Sequence, residues 1–127
     1  MTGQPLDANP AAVLSPAPTV TDVSERRRFE IAVDGAVLGF TEYRRRPGII
    51  SLLHTEIDPA HNGEGLATLL VETVLNTARA DGLAVLPYCP FVQSFIDRHR
   101  EYIELVPAER RAKFRPARRR GERNKGS

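Results

Sequence analysis

The sequence predicts a single α/β (α+β) domain over residues 25–108: an antiparallel meander, a glycine loop opening a helix, a parallel strand and a C-terminal helix. Three observations predict it. Two turn signals, Asp34-Gly35 and Pro47-Gly48, separate three stretches of strand character. A helical apolar period begins at Leu66, directly after a loop with two glycines. A short apolar run, Leu83 to Tyr88, follows that helix, where a parallel crossover would deliver a strand.

The elements follow in order. Met1 to Ser24 carries four prolines (Pro5, Pro10, Pro16, Pro18) among Ala, Thr, Ser and Asp, and shows no apolar period; it reads as a disordered arm. Phe29, Ile31 and Val33 alternate with Glu30 and Ala32 in a half-buried strand pattern. After Asp34-Gly35 a second strand spans Ala36 to Arg44, and after Pro47-Gly48 a third spans Ile49 to Ile57. Strict alternation would put His54 on one face with Ile50, Leu52 and Glu56. Pro59 ends that strand. Leu66, Leu69, Leu70, Thr73, Val74, Thr77 and Ala78 then recur at helical spacing, and Gly82 stops the helix. Past Cys89-Pro90, the stripe Phe91, Phe95 and Ile96 predicts a second helix, and Tyr102, Ile103, Leu105 and Val106 a short terminal one.

Composition narrows the function classes. A charged fraction of 27% and a hydrophobic fraction of 41% fit a globular core with polar tails. No apolar run approaches the ~18–20 residues that span a bilayer, and Met1 to Pro10 lacks the basic and apolar blocks of a secretory signal, so a cytoplasmic location without membrane contact is expected. Cys89, the single cysteine, cannot form an intrachain disulfide, and with three scattered histidines it gives no structural zinc pattern; no metal is expected. The net charge of +2 is uneven: Glu109 to Ser127 holds nine basic and two acidic residues, and the other 108 residues hold nine basic and fourteen acidic. The segment 109–127 therefore reads as a basic disordered tail, suited to a polyanion or to solvent alone.

Strand, glycine loop and helix in that order make an anion site. The first helical turn has free N–H groups, and the helix dipole adds partial positive charge. A pyrophosphate can bind there without a lysine. Gly63 and Gly65 allow the backbone to approach a ligand, and Ala67 is small enough not to block it. The Gly-Lys-Ser/Thr ending of a P-loop and the three glycines of a dinucleotide fingerprint are both missing.

On these residues, Asn62-Gly63-Glu64-Gly65-Leu66-Ala67 resembles the acyl-CoA loop of the GNAT N-acetyltransferases, Arg/Gln-x-x-Gly-x-Gly/Ala. His54-Thr55-Glu56-Ile57 before the loop and Pro87-Tyr88-Cys89-Pro90 after it resemble a minimal, single-domain GNAT subfamily with a His-Thr strand and a Pro-x-Cys strand end. The likeness covers Phe29 to Val106. It implies a GNAT-like fold and acetyl-CoA (CoA) as cofactor, held by Ile57, Asn62, Gly63, Glu64, Gly65, Leu66 and Ala67. Asn62 departs from the pattern: it stands where the family has Arg or Gln, and it is short and uncharged.

The resemblance also implies that His54 and Cys89 face the gap where thioester and amine meet. His54 is the candidate general base, with Glu56 as the runner-up. Cys89 would either form a transient acyl-cysteine, its thiolate supported by a neighbour such as His54, or shape the thioester pocket while the amine attacks directly. Tyr88 and Tyr102 are minor candidates for protonating the leaving thiolate; His61 reads as a loop residue and His99 as a residue of a solvated helix face. The implied activity is acetyl transfer from acetyl-CoA to a primary amine of unknown identity. Two alternatives stand beside it: a non-catalytic acyl-CoA-binding module, favoured by Asn62, and a nucleic-acid-associated adaptor acting through the basic tail. The oligomeric state is not encoded in any motif.

Overall fold

The computed structural model describes residues 17–114 of the 127-residue chain. Five strands, β1 (Thr19–Val23), β2 (Arg28–Val33), β3 (Ala36–Arg46), β4 (Ile49–Ile57) and β5 (Ala84–Pro87), form one sheet in the order β1-β2-β3-β4-β5. The pairs from β1 to β4 are antiparallel and β4–β5 is parallel. Helix α1 (Leu66–Ala80) makes the crossover between the parallel strands, and α2 (Pro90–Arg98) follows β5. The mixed α/β class and the order of elements from β2 to α2 are those predicted.

Local chemistry accounts for the meander. Val33 pairs with Ala36, so Asp34-Gly35 is a two-residue loop, and both residues have positive φ (53° and 84°), the requirement of a type I′ hairpin. Arg46 pairs with Ile49 around Pro47-Gly48, where Gly48 takes φ 75°.

One side of the sheet is packed. Leu66, Leu70, Val71, Val74, Leu75 and Ala78 of α1 are buried in one cluster with Phe29, Ile31, Tyr43, Ile50, Leu52 and Val85. Helix α2 adds Val92, Phe95 and Ile96. The chain then turns through a 3-10 segment, Arg100–Leu105, pinned to α1 by Tyr102, whose hydroxyl donates to Asn76 Oδ1 at 2.9 Å. Among the described residues, no helix is long and apolar enough to cross a membrane.

Three expectations change. Strand β4 carries a bulge: Tyr43 pairs with Leu52 but Glu42 pairs with His54, so Leu53 has no partner. One extra residue shifts the two-residue alternation, and every side chain beyond it changes face. His54 and Glu56 still share a face, but it is the one opposite Ile50 and Leu52. Thr55 instead joins the packed face, across from the fully buried Thr41. Second, Thr19–Val23 falls in the segment read as a disordered arm, yet it pairs with β2 from Arg28 to Ala32; the partner strand supplies the hydrogen bonds that its own composition does not advertise. Third, the segment 109–127 read as disordered tail begins in order: Ala108–Arg110, which crosses into it, and Ala112–Phe114 form 3-10 turns, and Phe114 buries its ring edge-on against Tyr88, centroids 5.1 Å apart. The rest of both terminal segments, 1–16 and 115–127, lies outside the described residues.

Candidate active site

The loop after β4 is built by its own polar groups. Asp58 leaves the strand with its N–H donating to Leu38 O at 2.7 Å, and its Oδ1 accepts from Ala60 N at 2.9 Å, capping the single 3-10 turn Pro59–His61. Asn62 N donates back to Pro59 O at 3.3 Å and ends that turn. His61 Nδ1 and Glu64 Oε1 lie 3.0 Å apart across the loop, which engages the Glu64 carboxylate locally.

Gly63 and Gly65 have φ of 85° and 81°. An L-residue held there costs ~1–2 kcal/mol, which accounts for glycine at both. A Cβ built on either would meet nothing within 4 Å, so the space beyond the backbone is open. Gly65 is the N-cap of α1, no side chain caps the helix, and its first turn holds no acidic residue. The free N–H groups and the positive end of the dipole therefore face that open space, with the first turn anchored by the buried Leu66. This arrangement fits an anionic group such as a pyrophosphate.

The strands beside the loop part company. Leu52–Pro87 is the last rung between β4 and β5, while β4 runs on to Ile57. Just past that rung Cys89 N donates to Leu52 O at 2.9 Å, and Gln93 Nε2 holds Pro87 O at 3.0 Å. Cys89 is the N-cap residue of α2, with Pro90 as the first helical residue. Its side chain is 2% exposed, and Sγ–H donates to Thr55 Oγ1 at 3.5 Å. Thr55 Oγ1 lies 2.9 Å from Thr41 Oγ1, so two hydroxyls and the thiol form one chain across β3, β4 and α2.

His54 lies on the other face. Its Nε2 is 3.9 Å from Glu56 Oε1, both side chains are more than half exposed, and its ring lies beside Phe40 with centroids 6.1 Å apart. The bulge thus separates the two chemistries the sequence reading joined: the polar neighbour of the Cys89 thiol is Thr55, and His54 pairs with Glu56. Thr41 and Thr55 were missed as a unit, because only cross-strand register brings them together. Tyr88 is 43% exposed and its ring packs against Phe114, whereas Cys89 is buried. Tyr102 is held by Asn76, and His99, half-buried, bonds to Phe95 O at 2.9 Å and stacks on its ring; both are structural, and His99 is not on a solvated face.

Residues 28–105 match the family described as GCN5-related N-acetyl-transferase. The chain belongs to that family. Acetyl transfer is the general chemistry of the GCN5-related N-acetyltransferases, and the matched span runs from β2 through the turn after α2. Over 113 residues the chain is 29% identical to Protein NATD1 of Bos taurus, covering 84% of this chain and 98% of that one. Among solved structures it is similar to Rv2747 from Mycobacterium tuberculosis, determined in complex with CoA and NLQ (TM-score 0.47, 23% identity, 61% of this chain and 51% of that one). It is also similar to a ribosomal-protein-alanine N-acetyltransferase from Brucella melitensis biovar Abortus 2308 (TM-score 0.43, 20% identity, 64% and 61%). The chain spans less than two thirds of the length of these two solved proteins.

Proposed function

We propose that this chain is an acetyl-CoA-dependent N-acetyltransferase acting on a primary amine. One observation carries the reading: an uncapped helix N-terminus with open space beyond two left-handed glycines, in the loop that follows the strand from which β5 parts after Pro87. Acetyl-CoA supplies the acyl group as a thioester. Backbone N–H groups from Gly63 to Ala67 hold the pyrophosphate, the Asn62 amide adds a donor, Glu64 keeps His61 in place, and Ile57 flanks the entrance from the end of β4.

The amine must lose a proton before it attacks. His54 accepts it, Glu56, 3.9 Å away, steadies the resulting imidazolium, and the proton balances when it passes on to the CoA thiolate released as the C–S bond breaks. Both are exposed, so an acceptor reaches them from solvent. Cys89 is buried and its S–H donates a hydrogen bond to Thr55 Oγ1, which supports a role in shaping the acyl pocket with direct attack by the amine, not a covalent acyl-cysteine.

Calorimetric titration of acetyl-CoA into the purified protein tests the cofactor, and release of CoA over an amine panel tests transfer. His54→Ala is expected to lower turnover about 10²-fold or more with acetyl-CoA affinity unchanged, and Cys89→Ala to retain turnover. No acetyl-CoA binding would overturn the reading; binding without turnover on any amine would leave a binding module, as the short Asn62 suggests.

A further inference from the structure

The sheet face turned away from α1 carries a groove of about 420 Å³ beside the parting of β4 and β5. Its floor is mostly apolar: Ile49 and the bulged Leu53 from β4, with Ser51 between them, Leu86 from β5, and Tyr88 just beyond it. Leu53 and Tyr88 are 36% and 43% exposed, with Phe114 and Lys113 against one side of the Tyr88 ring, so part of this apolar surface faces solvent. Its rim is cationic. Arg44 and Arg46, two residues apart on β3 and hence on one face, line it with Arg110 from the turn Ala108–Arg110. All three are exposed, and none takes part in an ion pair or a side-chain hydrogen bond among the described residues.

Three unpaired guanidiniums around an apolar floor select a ligand with an oxyanion at one end and an apolar body. The volume suits a small molecule. The chain's own tail is a poor occupant: after Phe114 it carries six basic residues and one acidic residue, the same sign as the rim. The groove also has a direction. Leu53 adjoins His54 and Tyr88 adjoins Cys89, so a ligand anchored at the arginines extends toward the parting of the strands.

We propose that this groove is the acceptor subsite and that the acceptor is a small primary amine bearing a carboxylate or phosphate at the far end of an apolar body. This rests on the acetyltransferase reading above and names its substrate class. The arginines hold the oxyanion, the floor takes the apolar body, and the amine is left toward His54.

The test uses the full chain, acetyl-CoA and four amines that differ only at the distal group: 6-aminohexanoate, 6-aminohexyl phosphate, 6-amino-1-hexanol and 1,6-diaminohexane. At least one anionic amine should exceed the alcohol in kcat/KM by about tenfold or more, with the diamine poorest; which anion leads distinguishes carboxylate from phosphate. In R44Q/R46Q/R110Q that ratio should collapse toward one. Because the three side chains are exposed and unpaired, the variant should fold, which circular dichroism verifies. Equal kcat/KM for anionic and neutral amines, or a preference that survives the triple substitution, overturns the proposal. If no amine is acetylated, calorimetric binding of 6-aminohexanoate and 6-aminohexyl phosphate decides. Saturable binding lost in the triple variant supports the anion groove while the transfer reading fails. No binding of either overturns the groove, whatever acetyl-CoA does.

Discussion

Gly65→Ala separates the fold requirement at the loop from the ligand requirement. Gly65 sits at φ 81°, and an added Cβ would touch no protein atom within 4 Å. The stability cost is therefore backbone strain alone, ~1–2 kcal/mol, partly offset by ~0.4–1 kcal/mol from the less flexible unfolded chain. A net loss of about 1 kcal/mol lowers Tm by roughly 4–8 °C in a domain of this size. Gly48→Ala is the matched control: φ is 75°, a Cβ there also meets nothing within 4 Å, and the position lies in the β3–β4 hairpin. The two variants should lose the same stability. Only Gly65→Ala should lose CoA affinity, because its Cβ occupies the space in front of the helix N-terminus. Loss of one charge-assisted hydrogen bond, about 1.5–3 kcal/mol, weakens Kd by about 10- to 100-fold. Thermal melts and calorimetry on both variants read the two effects independently. Equal CoA affinity in Gly65→Ala and Gly48→Ala would refute the assignment of the loop.

Other outcomes follow from the same geometry. Thr55→Val strands the fully buried Thr41 hydroxyl and should cost about 1–3 kcal/mol in urea unfolding, whereas Thr41→Val/Thr55→Val should cost less than the sum of the single changes. Tyr43 donates to Asp22 Oδ1 at 2.5 Å; burial first, and then that carboxylate, push its pKa from 10.0 up to about 12. The folded state thus keeps a proton that the unfolded chain releases, so this contribution is complete below pH 10 and is lost as pH rises through about 12. Wild type should lose stability across that window more steeply than Tyr43→Phe in pH-dependent denaturation.

Much of the architecture was legible because it rests on local rules. Asp34-Gly35 and Pro47-Gly48 demand their turn geometries wherever they occur, and the stripe from Leu66 to Ala78 has nowhere to go but against a sheet. The loop was legible for the same reason: two glycines before a helix are a statement about φ. The bulge at Leu53 was not, since nothing in Ser51-Leu52-Leu53-His54 marks an extra residue; only the pairing with β3 reveals it. One unpaired residue moved His54 to the other face and brought Thr55 to Cys89. Strand β1 and the docking of Phe114 on Tyr88 escaped notice for a related reason, because each depends on a partner remote in sequence.

The burial of Cys89 turns the chain's single thiol into a clock. At 2% exposure it meets no alkylating reagent in the closed state, so labelling waits for α2 to lift from the end of β5 or for the whole domain to open. When reclosing outpaces alkylation, the labelling rate multiplies the thiol's intrinsic rate by the population of that open state. One site and one mass increment then report how often the wall between β4 and β5 comes apart, and a ligand seated between those strands should slow the clock.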